Sequence, residues 1–445
     1  MQNTIEKAVR LKQKLVDFVY DAEGDLAIAL ETYAAQNSQK NSYGIKQQNL
    51  NLDLFVSDGD IDRATPIDLF LAQSDNLDSE EIEILRRWQN NFIGLFEIQA
   101  IESDYYQLMN WLTAKTYRVY GHSGISDKEK KRWKPGEIIL TIIDPIGDRQ
   151  WFFFSDRVIK GRLSQPKLAV AIGEFRDNYP RFLYADAPKL LAQAWESVAV
   201  YHQEFVDYMG TDSLTLPGSQ LNQKIAELQQ KMSQDRLKSA GIDSDKSLSE
   251  VLSESGTNEA EFTAVAEDLG VDAQAVGKVL SNPDKLSMVT PKVDLPPEIK
   301  QAEAVTVFSH PRWGQIFLPN FNRFTDLLDN ENAIETERDI LIKYTQKYLQ
   351  QPEANYYIWQ QLKQKYSQNI NKILQIYTEC DDFNLEEDLD NLLLKYNKSS
   401  TPELPAIASV PIHLNNLFEA AVAQVQKTKS KTKKKKSKKG FFKGK

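Results

Sequence analysis

A change of sequence pattern at residue 93 limits the folds open to this chain more than any other feature. Five short runs follow one another from there, separated by turn signals such as "ESD" and "KPG": "IGLFEIQAI", "YYQLMNWL", "KTYRVYG", "GEIILTII" and "RQWFFFS". Runs this short and this rich in β-branched and aromatic residues are typical of strands. Five short antiparallel strands bury their apolar side chains only if the sheet curls. Residues 93–163 are therefore predicted to form a small β-barrel of the SH3 or OB type.

Helical patterns precede and follow these runs. Residues 4–36 carry apolar side chains at spacings of three and four, which predicts one amphipathic helix. In "TPIDLFLAQ" and "DSEEIEILRRW" a capping residue precedes acidic residues in the first turn, an arrangement that starts a helix. A chain of 445 residues is long enough for two or three domains. The predicted fold class is α+β and mostly α-helical, with helical domains flanking the five-stranded barrel.

Proline-rich and polar segments mark the predicted regions of the chain. These regions are an N-terminal helical region 1–92, the barrel 93–163, a helical region 164–290 with a helical hairpin 258–281, a Pro-rich connector 291–303, a β-hairpin plus helices 304–398, a linker and amphipathic helix 399–426, and a Lys-rich tail 427–445. The tail has no apolar periodicity, so it is predicted to be disordered.

Composition narrows the chemistry and the compartment. No apolar run approaches the roughly 18 residues that cross a bilayer, and the first residues lack the apolar stretch of a secretory signal, so a cytoplasmic location is predicted. One cysteine, Cys380, and four scattered histidines do not match a zinc site, and no metal or cofactor is predicted. The sequence has no phosphate-binding glycine loop, "GxSxG" or "HExxH" motif, so an enzyme is less favoured than a binding protein.

Charge separates the tail from the rest of the chain. The whole chain carries a formal net charge of −9, but residues 427–445 contain eleven lysines, so the preceding 426 residues carry −20. Such a body repels nucleic acid and anionic membrane, whereas the tail attracts both. The tail is predicted to bind a polyanion with little sequence discrimination through Lys433, Lys434, Lys435, Lys436, Phe441 and Phe442.

Two loops carry the other candidate binding residues. The segment "GHSGISDKEKKRWK" interleaves an aromatic residue with cations, as single-strand binders do, and the candidates are Lys128, Lys130, Lys131, Arg132, Trp133 and Lys134. Tyr117, Tyr120, Trp151 and Phe153 would extend that platform. The alternative is that Trp133 anchors the loop to the core. At the tip of a predicted hairpin, "SHPRWGQ" offers His310, Arg312 and Trp313 for a peptide or subunit contact, or Trp313 simply packs the turn.

From about residue 52 to 163 the order of features resembles an uncharacterised bacterial family. The resemblance rests on "LDLF", "ATPIDLFLAQ" and "DSEEIEILRRW", followed by the barrel runs quoted above. Proteins of this kind often end in a SEC-C tail, a short zinc knuckle associated with nucleic-acid or ribosome-linked proteins. The zinc cysteines are absent from the tail of this chain, so the resemblance implies the barrel fold and not a zinc site.

The leading functional hypothesis from the sequence is a non-enzymatic cytosolic adaptor or assembly factor. It would bind protein partners and be localised to RNA or the ribosome by its basic tail, with a membrane surface less favoured and DNA disfavoured. One alternative is an RNA-binding protein that uses the loop 128–134, and another is an enzyme with an unrecognised acidic cleft. The identity of the partner and the oligomeric state are not predicted.

Overall fold

The computed structural model describes residues 2–38, 45–61, 64–121, 133–147, 149–239, 288–330, 332–418, 420–422 and 424–425. The chain divides into a first unit, residues 1–191 with 411–445, and a second unit, residues 192–410. The predicted helical hairpin 258–281 and the Lys-rich tail 427–445 lie outside the described residues.

Five helices precede the barrel in the first unit. They are α1 (Gln2–Tyr20), α2 (Asp25–Ser38), α3 (Ile45–Asp58), α4 (Pro66–Gln73) and α5 (Ser79–Trp88). The prediction of one helix over residues 4–36 is wrong, because the chain turns between α1 and α2. Gly24, the residue before α2, has a φ of +68°, a left-handed conformation that glycine adopts without steric cost, and its carbonyl accepts a hydrogen bond from Ile28 of α2.

The predicted starts of α4 and α5 are confirmed by their capping geometry. Thr65 caps α4 and accepts a hydrogen bond from the backbone N–H of Asp68, while the Asp68 carboxylate accepts from the Thr65 N–H. Asp78 and Glu81 make the same reciprocal pair at α5. Each box satisfies N–H groups that a helix start otherwise leaves unpaired, an effect typically worth about 1 kcal/mol.

The five predicted strands form a closed barrel. They are β1 (Phe92–Ile101), β2 (Tyr105–Asn110), β3 (Thr116–Tyr120), β4 (Ile138–Gly147) and β5 (Gln150–Phe153). Their order is β1-β2-β3-β5-β4, and β1 pairs with β4 to close the ring. β3 and β5 run parallel, and the other neighbours are antiparallel. This Greek-key order identifies the barrel as the OB type rather than the SH3 type.

Aromatic side chains fill the barrel interior. Rings from four strands and from the residue Trp133 meet in one cluster with aliphatic side chains: Phe92, Phe96, Ile98, Tyr106, Leu108, Tyr117, Val119, Trp133, Ile139, Ile143 and Phe153. Full burial of a large apolar side chain contributes roughly 1.5–3 kcal/mol, so this cluster supplies much of the free energy that closes the sheet.

Helices cover one side of the barrel. β4 is buried on both faces, because Leu140 and Ile142 point outward and are covered by the N-terminal helices while Ile139 and Ile143 point inward. A further strand, β6 (Val158–Gly161), pairs with the first residues of β4 and was not predicted. The unit continues with α6 (Gln165–Asn178), a 3₁₀ turn (Pro180–Phe182) and the first residues of α7 (Pro188–Met209). The boundary between the two units falls within α7.

The second unit combines a small sheet with helices. Its strands β7 (Ser213–Leu216), β9 (Val305–His310) and β10 (Gly314–Pro319) form a sheet in the order β10-β9-β7, and β8 (Met288–Val289) and β11 (Val410–Pro411) are short. The predicted hairpin is confirmed as β9 and β10, whereas β7 was not predicted. The helices are α8 (Gly218–Ser239), α9 (Pro297–Gln301), α10 (Phe321–Asp329), α11 (Ala333–Thr336), α12 (Arg338–Gln350), α13 (Tyr356–Thr378) and α14 (Leu385–Lys395).

The cores of the second unit follow the predicted apolar stripes. Leu221, Ile225, Leu228 and Met232 are all buried, as their spacing on α8 indicates. The helices after β10 share an aromatic cluster in which Phe321, Phe324 and Tyr348 pack edge to face or tilted. In the first unit, the described residues from 412 to 425 are helical, which agrees with the predicted amphipathic helix.

A buried carboxyl group lies beneath the helices that cover β4. Asp144 is fully buried, and neither of its oxygens makes a hydrogen bond to the described residues, although the unpaired Asn91 amide is nearby. Lys12 on α1 forms an ion pair of 2.7 Å with Asp53 on α3 instead. Burial raises the pKa of Asp144 well above its ordinary value, with Lys12 opposing and Asp53 adding to the shift. Burial also raises the pKa of Asp53 to about 6.

The buried Asp144 makes the stability of the first unit depend on pH. As the pH rises above about 4, the unfolded chain ionises this carboxyl while the folded chain keeps it protonated, so stability falls. We expect Asp144→Asn, which cannot ionise, to raise the melting temperature by about 2–4 °C at pH 7.5 and by much less at pH 4.5. Thermal unfolding followed by circular dichroism at several pH values measures this difference.

The matched control for this substitution is Asp75→Asn, because Asp75 is an exposed carboxyl of the same unit. It should leave the melting temperature within about 1 °C of the wild type at every pH, as surface substitutions usually do. If the gain in melting temperature from Asp144→Asn does not grow with pH, ionisation of Asp144 is not what lowers the stability of the wild type.

Candidate nucleic-acid interface

The predicted barrel loop is described only at its end. Lys128, Lys130, Lys131 and Arg132 lie outside the described residues, whereas Trp133 and Lys134 are described. Trp133 is 3% exposed and packs against Tyr106 at 4.7 Å and Phe153 at 5.6 Å between ring centroids. A buried ring cannot stack on a base, so Trp133 anchors the end of the loop as the alternative interpretation held. Lys134 is exposed.

Most of the predicted aromatic platform also lies inside the barrel. Tyr117 and Phe153 are buried in the interior cluster, and Trp151 packs against its edge. The hydroxyl of Tyr117 donates a hydrogen bond to Asp186, which also accepts one from Thr113 at 3.1 Å. The Tyr117 and Phe153 rings are therefore not available to a ligand, Trp151 is half-buried against the interior cluster, and of the predicted platform Tyr120 is the residue that lies on the outer surface.

The outer face of β2 and β3 is a part of the barrel that the described helices leave uncovered. Its side chains are half-buried or exposed, and they form cross-strand pairs: Tyr105 with Tyr120, Gln107 with Arg118, and Met109 with Thr116. We call this set the β2–β3 face. The contrast with β4, which is buried on both faces, shows that the helical layer covers only one side of the ring.

Two tyrosines and one arginine form a compact group at one end of the β2–β3 face. The Tyr105 and Tyr120 rings are 5.9 Å apart, and the Arg118 guanidinium lies over the Tyr105 ring at 5.5 Å from its centroid. Aromatic rings stack on bases of any sequence, and guanidinium groups bind phosphate. In chemical terms the group can therefore hold one or two unpaired nucleotides.

Alternation along the strands already contained this information. In "YYQLMN" and "TYRVY" every second residue faces outward, so once Tyr106 and Tyr117 are placed inside, Tyr105, Arg118 and Tyr120 must lie outside. Sequence reasoning missed the face because it grouped Tyr117 with Tyr120. These two residues are three positions apart on one strand, so their side chains point to opposite faces. The inward or outward choice depends on which face the helices cover, and that is a tertiary property.

The barrel carries exposed charges of both signs close in sequence to the strands of the β2–β3 face and to Trp133. Lys115, Arg118 and Lys134 are exposed cations of the barrel, while Glu102 and Asp104 in the β1–β2 turn are exposed acids. Coulomb forces thus favour a short polyanion that reaches the cations and stays clear of that turn.

The hairpin residues of the second unit are held by internal contacts. The ring Nδ1 of His310 accepts hydrogen bonds from the backbone N–H groups of Arg312 at 3.0 Å and Trp313 at 3.1 Å. Arg312 lies 4.0 Å over the ring of Trp195, and Trp313 stacks on Tyr356 at 6.4 Å. The Arg312 and Trp313 side chains therefore pack the three-residue turn, which ends at Gly314 with a φ of +70°.

A serine and a histidine meet beside this hairpin. The Oγ atom of Ser309 is 3.2 Å from Nδ1 of His202. Hydroxyl and imidazole at this distance begin a nucleophile and base arrangement, but Ser309 is only 2% exposed, so no substrate reaches it. Within the described ranges, no three His, Cys, Asp or Glu side chains converge as a metal site would require. The contact is a structural one.

A cleft of about 210 Å³ opens in the second unit between its sheet and α13. The sheet contributes Ser213, Thr215 and Thr306, and the helix contributes Tyr357, Gln361 and Tyr366. The helix has a non-helical backbone at Tyr366, with φ −127° and ψ 33°, although no proline or glycine lies there. His310 is next to the cleft, since its ring is 4.5 Å from that of Tyr357.

Protonation of His310 should loosen the hairpin turn. Burial lowers the pKa of His310, and His202 and Arg312 add to this effect while Asp212 opposes it. As the pH falls below about 6.5 the unfolded chain takes up a proton that the folded chain resists, so stability is lost. The variant His310→Asn keeps an acceptor for the Arg312 N–H but has no titrating group. We expect its free energy of unfolding, measured by denaturant titration, to fall less between pH 7 and pH 5 than that of the wild type.

The companion variant His310→Ala removes the acceptor altogether. It should cost about 1–3 kcal/mol at pH 7.5, because two backbone N–H groups lose their partner. Equal stability of the Asn and Ala variants at that pH would show that the ring does not hold the turn.

The remaining predicted residues, Lys433, Lys434, Lys435, Lys436, Phe441 and Phe442, lie outside the described residues. None of the described helices has the length and apolarity that a bilayer crossing requires.

No family model, curated protein or solved structure matches the chain. The resemblance to the bacterial barrel family therefore stays a prediction, and function is inferred from the side chains themselves.

Proposed function

We propose that the chain is a non-enzymatic RNA-binding protein that holds single-stranded RNA on the β2–β3 face. The observation that carries the proposal is the half-buried, outward-facing pair of Tyr105 and Tyr120 with the Arg118 guanidinium over the Tyr105 ring, on a side of the OB-type barrel that none of the described helices covers. Strands 2 and 3 are where barrels of this type commonly hold oligonucleotides. Only unpaired bases can reach two neighbouring rings, so single strands are favoured over duplexes.

Binding would exchange one contact of Arg118 for another. In the free protein its guanidinium lies over the Tyr105 ring. A base that stacks on this ring takes that position, and the side chain then extends to a phosphate of the same strand. Because guanidinium groups form charge-assisted bonds to phosphate, the exchange gains energy while it frees the ring.

The charge of the body limits how much of the strand the barrel holds. With −20 on the first 426 residues, only phosphates near Arg118, Lys115 and Lys134 gain from contact. Two to three phosphate contacts correspond to a slope of about −1.4 to −2.1 in log affinity against log salt for a single strand. The loop cations at 128–132 and the eleven tail lysines would add to this slope.

The Lys-rich tail connects this proposal with the adaptor hypothesis. A lysine tail binds any polyanion, so it would bring the chain to RNA or the ribosome, and the β2–β3 face would then contact unpaired bases. In this scheme the tail supplies affinity and the barrel supplies the preference for single strands.

Removing the two rings should weaken binding to a fluorescein-labelled U12 RNA. Base stacking on an aromatic side chain contributes roughly 1–3 kcal/mol per base, so Tyr105→Ala and Tyr120→Ala should each raise the Kd about tenfold. Fluorescence anisotropy of the full chain at one fixed salt concentration measures the change. The labelled DNA oligonucleotide dU12 tests the preference for RNA over DNA, and a labelled RNA duplex tests the preference for single strands.

Matched controls are available on α1, away from the barrel face. Tyr20 is 65% exposed and Arg10 is exposed, so Tyr20→Ala and Arg10→Gln change the same residue types without touching the face. The proposal fails if Tyr20→Ala weakens binding as much as Tyr105→Ala, or if the duplex binds as tightly as the single strand.

Salt dependence separates the tail and the loop from the barrel face. Deleting residues 427–445 should make the slope shallower, to about −2 or a little steeper, and leave binding sensitive to Tyr105→Ala. Replacing Lys130, Lys131 and Arg132 with glutamine in the truncated chain should lower the affinity further. Trp133 is left unchanged in this variant, because its substitution would damage the core. Loss of all binding on truncation would assign RNA binding to the tail alone.

A further inference from the structure

The cleft of the second unit has the size of a single side chain. Its volume of about 210 Å³ lies below the roughly 300–1,000 Å³ of pockets that enclose small molecules. A long side chain presented by another polypeptide fits this space.

The walls of the cleft combine aromatic rings with oxygen acceptors. Phe308 and Phe321 contribute apolar surface, and Tyr357 and Tyr366 contribute rings that end in hydroxyl groups. Ser213 adds a hydroxyl on the sheet side. Rings with nearby oxygens suit a cation that has a flat apolar body, since the ring faces attract the charge and the oxygens accept its hydrogen bonds.

Carboxylates lie near both ends of the cleft. Asp212 lies at one end and is close enough to raise the pKa of Tyr357, although burial is the larger cause. Asp326 and Asp329 act in the same way on Tyr366 at the other end, again after burial. All three are exposed and none forms a salt bridge with a described residue. Lys365 is the cation in the lining.

The neighbouring groups leave the charge of Asp212 uncompensated. His310 has a lowered pKa and is uncharged at neutral pH. Arg312 is held over the Trp195 ring, at 4.0 Å from its centroid. The same unit thus already places one arginine on an aromatic face, which is the contact that a ligand would repeat in the cleft.

We propose that this cleft binds an arginine side chain of a partner polypeptide, with the guanidinium on the Tyr357 ring and donating to the Asp212 carboxylate. Arginine suits the site better than lysine, because its planar group stacks on rings and donates two parallel bonds to a carboxylate. Lys365 is exposed, and its flexible stem lets the ammonium stay in water. This proposal is independent of RNA binding by the first unit and provides the protein contact that the adaptor hypothesis requires.

The sign of each charge effect tests the proposal. The probe is N-acetyl-arginine methylamide, titrated into the full chain and followed by saturation-transfer NMR, with a Kd expected in the millimolar range. Asp212→Asn should raise this Kd about fivefold, and Lys365→Gln should lower it about twofold, because one removes an attraction and the other a repulsion. N-acetyl-glutamate methylamide should show no saturable transfer.

General attraction to an acidic protein is the competing explanation, and Glu335→Gln measures it. Glu335 is an exposed carboxylate of the second unit outside the cleft lining, so its neutral variant should keep the wild-type Kd. The proposal is overturned if Glu335→Gln weakens binding as much as Asp212→Asn, if Lys365→Gln also weakens it, or if the glutamate probe binds more tightly than the arginine probe.

Discussion

The pairing of β1 with β4 is the constraint on which the first unit depends. It closes five strands into a ring, so each of these five strands has a partner on both sides, and it sets which side of each strand points inward. The outer side chains Leu140 and Ile142 of β4 are apolar, and the N-terminal helices cover them. None of the described helices forms such a layer over the outer face of β2 and β3. The partly exposed surface of the barrel is therefore set by which strands the helices cover.

Much of this architecture could be predicted from the sequence, because the signals are local. Short aromatic and β-branched runs identify the five strands, and capping residues identify the starts of α4 and α5. The apolar stripe from Leu221 to Met232 identifies a buried helix face. Each of these signals is contained in a few consecutive residues, so no knowledge of distant partners is needed.

Features that depend on distant partners were missed. β6 and β7 are four-residue strands whose existence rests on partners far along the chain, β4 and β9. The parallel pairing of β3 with β5 is a property of the closed ring. Trp133 was a candidate for base stacking because it lies among cations, but its burial is decided by Tyr106 and Phe153. The cleft lies beside Tyr366, where α13 departs from regular helix geometry, and α13 contains no proline or glycine from which this departure could have been predicted.

The anchoring of Trp133 has a consequence for the cations that precede it. The chain leaves the barrel at Tyr120, the last residue of β3, and returns to it at Trp133, so both ends of the intervening segment are fixed. Thirteen residue steps at roughly 3.3–3.6 Å each let its middle extend no more than about 23 Å from these ends. A charge tethered on so short a span has an effective concentration in the millimolar range at the barrel surface. Chain length alone therefore limits how far the lysines and the arginine of this segment can lie from Tyr120 and Trp133.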